Sequence, residues 1–562
     1  VINLMKPGMY MVSIDLQSSF YSISVHPQYR KYLKVICMGE IYEFQALPMG
    51  YARSPLIFCK LLKVPLSYLR EHFGYTNCAF VDDIWMGEDT IPEIQQNAKD
   101  SIVLVQDLGW TVNFDKSDLG PDTIKPHLGL IFNTGNMTVS LQEDKIEKFL
   151  THAIKILKAD THSIRSVASL IGQMNAARYA VRYGPLHTKS LEIAKNRALV
   201  LSQGDFDAKM HLSRLDKMDI QWWMKTVPTA SKFVGYLPID AVIHTDASTE
   251  GWGLWQESTN IKTGGRWSEK ESASHINVLE INAIWMGLQC LFEEQHDLHL
   301  HIFCDSKVAI ACIEKQGSTK SLPCNTATRN LLLYCEKRNF VLTLTHINSA
   351  DNHQADNASR VFKNVDTEWM LDPTLFNDCC SHFQYTPEID LFADRLNHQI
   401  DKYCSWHVDP NASFVDAMSL DFTQFTNLYA FPPFSMVSRL LKKFLETPRT
   451  MTMMIVAPLW PTQAWYPNLI NHLISIPIII KVTDKTLTLP HNPRKMHPLR
   501  QKLRLIVGLI SSNHSLAKAF QSLWPRQCVT LGQLRHTNNT QGTFKNGRNI
   551  VVKGRYIPAI QM

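Results

Sequence analysis

Two short apolar strands that end in carboxylates, their first acids 67 residues apart, limit the folds open to this chain more than any other feature. Val12-Ser13-Ile14-Asp15-Leu16 is one; Phe80-Val81-Asp82-Asp83-Ile84-Trp85, with two adjacent acids at its turn, is the other. Taken alone, Asp-Asp at a hairpin is ordinary turn chemistry. A fold that sets Asp15 beside Asp82 and Asp83 makes a site for two Mg²⁺ ions. Such ions sit about 3.5–4 Å apart and share few carboxylates, so that waters and phosphate oxygens can complete their shells.

Four further acids stand at comparable places. Val242-Ile243-His244-Thr245-Asp246-Ala247-Ser248 alternates as a strand and passes through a Gly-rich hairpin into Gly251-Trp252-Gly253-Leu254-Trp255. Glu280 lies in the helical run Asn277-Val278-Leu279-Glu280-Ile281-Asn282-Ala283, Asp305 closes Ile302-Phe303-Cys304-Asp305-Ser306, and Asp356 sits in Gln354-Ala355-Asp356-Asn357-Ala358-Ser359-Arg360. Each alone is more often a surface carboxylate. As an ordered set on strand, helix, strand end and helix, Asp246, Glu280, Asp305 and Asp356 suit a second two-metal site.

The companions of the first acids carry a resemblance. Phe20 follows Asp15 by five residues, and Leu47-Pro48-Met49-Gly50-Tyr51 with Ser54-Pro55 stands between the two acid motifs. With these the segment resembles reverse transcriptases in all its central motifs, and the later four acids are similar to the metal-binding set of RNase H. The resemblance implies a polymerase palm, an antiparallel sheet with helices, over 1–140, and an RNase H-like α/β fold over 236–362. It implies an RNA-directed DNA polymerase in which Asp15, Asp82 and Asp83 hold Mg²⁺, or Mn²⁺, while a primer 3′-hydroxyl attacks the α-phosphate. Asp246, Glu280, Asp305 and Asp356 would hold the ions that hydrolyse the RNA of the hybrid. The implied partners are an RNA template, a DNA primer, an RNA–DNA hybrid and deoxynucleoside triphosphates.

Under the same resemblance Phe20, Met49 and Lys116 contact the nucleotide. The ring of Phe20 excludes a 2′-hydroxyl sterically. Met49 stands where retroviral enzymes carry Gln. Lys116, in Val112-Asn113-Phe114-Asp115-Lys116, reads either as the acid that assists pyrophosphate departure or as an ordinary surface lysine. His127-Leu128-Gly129-Leu130 resembles the primer-grip hairpin, and the finger segment that normally precedes Asp15 is missing. In Thr345-His346-Ile347-Asn348-Ser349-Ala350-Asp351-Asn352 a loop that bears a catalytic His in many relatives is shortened, which leaves His346 a structural place.

Over 141–235 a helical thumb and connection is expected. Ile146, Phe149, Leu150, Ile154 and Leu157 recur at helical spacing, with Lys145, Lys148, Lys155 and Lys158 on the remaining surface. A second helical stretch, Ile164 to Tyr183, adds Arg165, Arg178 and Arg182. Such faces either track a nucleic-acid backbone or are simply solvated.

Beyond Arg360, Ile389-Asp390-Leu391-Phe392-Ala393-Asp394 and Met454-Ile455-Val456-Ala457-Pro458-Leu459 read as buried strands of an α/β sheet over 363–485. With Ala430-Phe431-Pro432-Pro433-Phe434 and Leu459-Trp460-Pro461-Thr462-Gln463-Ala464-Trp465, this part resembles the methyltransferase-like region after RNase H in DIRS-type retrotransposons, which encode a tyrosine recombinase. Adenine-N6 transfer needs an Asn or Asp before Pro-Pro-aromatic to accept a hydrogen bond from a flipped base, and Phe431 cannot. A degenerate domain or a nucleic-acid platform is the expectation, with Asp390 in an S-adenosylmethionine-type cleft. Active methylation, or an inactive nucleic-acid-binding relic of the whole element, are the alternatives.

Length and composition fit this multidomain α/β and α+β reading. A chain of 562 residues exceeds what one core organises, and 45% hydrophobic with 19% charged residues excludes a fibrous or globally disordered protein. Of its 57 Lys and Arg and 51 Asp and Glu, the stretch from Lys481 holds 14 bases and the single acid Asp484. A basic tail over 486–562 is therefore expected, either for a polyanion or as a solvated extension. Twelve cysteines without a CxxC pair read as reduced thiols and place the protein inside the cell, in nucleus or cytoplasm and not secreted. Cys379, Cys380, His382, His398, Cys404 and His407 are the one candidate zinc cluster, at spacings that fit no standard pattern. No apolar run approaches the ~20 residues that span a bilayer, so no membrane partner is expected. The N-terminus is not a signal peptide, and Val1 enters a domain already under way.

Overall fold

The computed structural model describes residues 1–362, 368–524, 549–552 and 555–562, which belong to two compact units. One is Val1–Pro238 with Lys315–Lys320; the other is Ile239–Glu314 with Ser321–Met562.

The first nine strands, all in the first unit, are β1 (Tyr10–Gln17), β2 (Lys34–Cys37), β3 (Glu40–Glu43), β4 (Thr76–Phe80), β5 (Asp83–Glu88), β6 (Thr111–Asp122), β7 (Ile124–His127), β8 (Leu130–Asn133) and β9 (Thr138–Leu141). An antiparallel sheet in the order β4-β5-β1-β6 is the centre. Period-2 alternation decides what each of its faces holds. Val12, Ile14, Leu16, Ile84 and Met86 bury one face against the helices Ser54–Phe73 and Ile91–Asp107, through Phe58, Leu62, Leu66, Ile94 and Val105. Met11 and Trp85 point the other way and pack with Leu130, Phe132 and Val139. Those belong to a second sheet, in which strand Ser231–Phe233 pairs with β9, followed by β8 and β7. Asp15 and Asp83 share the odd-numbered parity of Met11 and Trp85, so the alternation that buries the core also delivers both acids to one face. The β2–β3 hairpin is exposed along both strands, including Val35, Ile36, Ile41 and Tyr42, an apolar surface of the kind that marks a contact site.

The expected amphipathic helix is present as Glu143–Lys158, with Phe149, Ala153 and Ile156 buried. Ile154 is exposed, and the small Ala153 takes its place against the neighbouring helix because the stripe is rotated by one position. The second stretch is helical only over Ile164–Ala177.

In the second unit, strands Lys262–Arg266, Gly251–Gln256, Ala241–Ala247, His299–Cys304 and Val341–His346 form one sheet in that order, the first three antiparallel and the last three parallel. Helix Ile276–Phe292 packs on it with Leu279, Ile281, Ile284 and Leu288 buried. Helix His353–Arg360 lies so close to strand Gly251–Gln256 that a Cβ at Gly253 would overlap the Ala355 carbonyl and the Ser359 amide. Both are backbone and cannot swing aside. Gly253→Ala is therefore expected to cost about 1–3 kcal/mol by overpacking, which thermal unfolding of the variant would register; an unchanged Tm would contradict this packing.

A six-stranded sheet follows, in the order Ile389–Asp390, Asn427–Ala430, Thr452–Pro458, Arg504–Ser511, Ile478–Lys481, Ile560–Gln561. The first three strands run parallel, and Arg504–Ser511 runs antiparallel to both its neighbours. Residues from 486 onward are thus not simply a basic tail. Leu505-Ile506-Val507-Gly508-Leu509-Ile510 is a buried central strand, and a boundary at 485 would cut the sheet in two. Much of the remaining expected tail, 525–548 and 553–554, lies outside the described residues. Among the described residues no helix is long and apolar enough to cross a membrane.

Candidate active sites

Antiparallel pairing sets Asp15 directly opposite Asp83, and the Leu16 amide donates to the Asp82 carbonyl at 3.0 Å. The first three predicted acids are therefore brought together at one strand end. The hairpin between β4 and β5 turns through Val81, whose φ of 55° is unfavourable for a β-branched residue. Strain of this kind persists only where the surrounding structure imposes it. Burial and, next, the charge of Asp82 raise the pKa of Asp15, while Lys116 lowers it. Lys116 on β6 is thus close enough to act on the Asp15 charge. Ser117, unremarked in the sequence, donates its Oγ proton to the Asn113 carbonyl and accepts the Asp15 amide at 3.0 Å, which fixes β1 against the β6 irregularity.

Phe20 is half-buried and meets Phe58 edge-on, with ring centroids 5.8 Å apart, so the core beneath the central sheet holds its ring. Met49 is exposed, in a loop closed by a hydrogen bond from Ser54 Oγ to the Pro48 carbonyl at 2.8 Å.

The other four acids gather in the second unit. Asp246 is buried on strand Ala241–Ala247 and Glu280 on helix Ile276–Phe292; Asp305 follows strand His299–Cys304, and Asp356 is on helix His353–Arg360. Burial pushes the Glu280 carboxyl up to about 9, helped by the charges of Asp246 and Asp305. Burial also raises Asp246 to about 6; Ser359 opposes this, and Asp305 and Asp356 add to it.

Several supporting groups carried no signal beyond their residue type. Ser359 Oγ donates to Asp246 Oδ2 at 2.7 Å, Ser349 Oγ to Asp305 Oδ2 at 2.5 Å, and Arg360 Nε to Asp356 Oδ1 at 2.6 Å. Cys304 is buried and places its sulfur with Glu280 and Asp305 so that one ligand atom from each lies within 4.8 Å of the others. His346 is exposed, in register with Cys304.

The candidate zinc cluster is dispersed. Cys379 is buried in one apolar cluster and Cys404 in another, His398 stacks on Tyr403, and His407 Nε2 meets the Gly264 carbonyl at 2.8 Å. Asp390 is buried, raised by burial to about 7, and accepts the amides of Phe392 and Gln399. It does not line the cavity of about 590 Å³ that Phe392, Asp394, Trp406 and Pro433 border with Arg266 and Asn357. Phe431 packs on the apolar cluster around Trp369 and Met454.

Residues 2–132 match the family described as reverse transcriptase (RNA-dependent DNA polymerase). Protein P of duck hepatitis B virus (strain China) is 23% identical over 172 residues, 31% of this chain and 22% of that protein. An enzymatic polyprotein of cassava vein mosaic virus is 25% identical over 295 residues, 50% of this chain and 42% of its own length. The chain thus spans from about a fifth to about two fifths of these relatives. Among solved structures, a foamy viral protease-reverse transcriptase in complex with RNA/DNA hybrid superposes with a TM-score of 0.37 at 15% identity, covering 66% of this chain and 49% of that one. The same enzyme with double-stranded DNA gives a TM-score of 0.35 at 16% identity, over 60% and 68%. With the family match spanning the paired acids Asp15, Asp82 and Asp83, residues 2–132 carry a reverse transcriptase domain of a retroelement or viral polymerase family.

Proposed function

We propose that this chain is an RNA-directed DNA polymerase that also degrades the RNA of its hybrid product, and that it comes from a DIRS-type retrotransposon. The observation that carries the polymerase reading is the convergence of Asp15, Asp82 and Asp83 at one strand end within the matched segment. The RNase H reading is supported by the mutual electrostatic strain of Asp246, Glu280 and Asp305. The DIRS reading draws on the α/β sheet after that site and on Phe431-Pro432-Pro433-Phe434 at the end of strand Asn427–Ala430. Phe431 still argues for a degenerate domain or nucleic-acid platform over an active methyltransferase.

Mg²⁺ or Mn²⁺ fits both acid groups on chemical grounds, because hard oxygen ligands that repel one another, as the raised Asp15, Asp246 and Glu280 do, gain from a bound cation. Asp15, Asp82 and Asp83 would hold the ions at one site, and Asp246, Glu280, Asp305 and Asp356 at the other. When bound, the ions supply Lewis-acid activation of a primer hydroxyl or of water. Phe20 stands against the sugar and excludes a 2′-hydroxyl. Lys116 supplies positive charge beside Asp15 and a proton to the departing pyrophosphate.

Incubation with poly(rA) primed by oligo(dT), deoxythymidine triphosphate and Mg²⁺ is expected to lengthen the primer. Failure of both this chain and a version lengthened upstream by finger residues would overturn the polymerase reading in favour of a relic.

A further inference from the structure

His127 ends β7, whose partner strand β8 packs through Leu130 and Phe132 against Met11 and Trp85, on the face of the central sheet from which Asp15 and Asp83 emerge. Its ring is buried, and its Nδ1 lies 3.3 Å from Asp83 Oδ1. The approach is off-line for a regular hydrogen bond, and among the described residues Nδ1 has no hydrogen-bonding partner. Asp83 is thus the group this nitrogen faces. A buried ring nitrogen without a well-aligned partner costs stability, and an apolar ring of the same size would fill the space without that cost. Packing alone gives no reason for imidazole here.

The turn that immediately follows His127 is braced as well. Leu128 and Gly129, with φ of 50° and 80°, make the two-residue turn into β8. The Gln142 amide donates to the Gly129 carbonyl at 3.3 Å, just before helix Glu143–Lys158. Beyond its backbone pairing with β8, His127 therefore ties the hairpin to the acids through one side-chain contact.

We propose that His127 is a positioning residue: it holds one oxygen of Asp83 so that the carboxylate keeps its orientation towards the site, and it fixes the β7–β8 hairpin relative to the acids. Outer partners that orient a metal-binding carboxylate are worth about 10–100-fold in metal affinity or activity. The inference rests on the polymerase reading only in taking Asp83 as a cation ligand.

The test compares His127→Phe, His127→Asn and Asp83→Asn in the full chain, by the Mg²⁺ dependence of primer extension and by Mn²⁺ calorimetry. His127→Phe is expected to keep the wild-type Tm while raising the Mg²⁺ needed for half-maximal extension about 10–100-fold. It should weaken the same Mn²⁺ binding that Asp83→Asn removes, and Asn, which retains an N–H donor, should recover much of the loss. Wild-type metal dependence in His127→Phe would overturn the proposal, as would equal losses in both His127 variants that track a falling Tm. If neither the wild type nor the version lengthened upstream extends a primer, but Mn²⁺ binding depends on Asp83 and His127, the polymerase reading falls and the positioning role stands. If the wild type extends primers and His127→Phe is indistinguishable from it, only the positioning role falls.

Discussion

Asp15→Asn is expected to abolish primer extension, with kcat lowered by about 10³-fold or more, while hybrid cleavage by the same protein continues. A bound cation contributes several kcal/mol to charge stabilisation in phosphoryl transfer, and each 1.36 kcal/mol is about tenfold in rate. Asn is nearly isosteric and leaves the backbone contacts in place: the pairing of Asp15 with Asp83 and the bond from its amide to Ser117 Oγ do not involve the carboxylate. It also removes one of three charges crowded at the strand end, where burial and Asp82 already raise the Asp15 pKa. The metal-free variant should accordingly be no less stable than the wild type, so a lost rate cannot be ascribed to unfolding. Primer extension, hybrid cleavage and thermal unfolding on one preparation are the measurements. Extension within tenfold of wild type would remove Asp15 from the site.

What the sequence disclosed, and what it hid, follows from how each feature is encoded. The acids were legible because each sits at a fixed place in a local apolar pattern: Asp15 and Asp83 take their face from the same alternation that buries Val12, Ile14 and Met86. Helix Glu143–Lys158 was legible for the same reason, but its buried stripe was misplaced at Ile154, because hydrophobicity does not reveal that a neighbouring helix approaches close enough to select Ala153. The central strand Arg504–Ser511 was hidden by a charge count taken over a window far longer than a strand. The bonds of Ser359, Ser349 and Ser117 to acids or their backbone were not readable at all. Each joins residues between 44 and 113 positions apart, and no local period relates two elements that meet only in the folded chain. His127 belongs with these: its motif suggested a hairpin, and only the fold brings its ring to Asp83.

In the second unit the largest effect is expected from Glu280→Gln, which should lower hybrid cleavage by about 10³-fold or more, on the same reasoning as for Asp15, and leave primer extension intact. Its second signature is thermodynamic and needs no substrate. The Glu280 carboxyl is raised from 4.5 to about 9 by burial and by Asp246 and Asp305, so between those values the folded protein keeps a proton that the unfolded chain has released. Stability then falls as pH rises. The contribution is fully present below the unfolded value and is lost as pH climbs through the folded one; Asp246, raised to about 6, adds to the same trend at lower pH. Metal-free wild type should therefore lose Tm progressively from about pH 5 towards pH 9, and Glu280→Gln, which has no proton to lose there, should show a shallower slope. Mg²⁺ should restore most of the loss in the wild type, because the cation selects the ionised carboxylates that repel one another without it. The variant should gain much less. Differential scanning fluorimetry across this range, with and without Mg²⁺, separates the cases: equal slopes in both proteins would mean that Glu280 is not the group under strain, and an equal Mg²⁺ effect would mean that it does not face the cation.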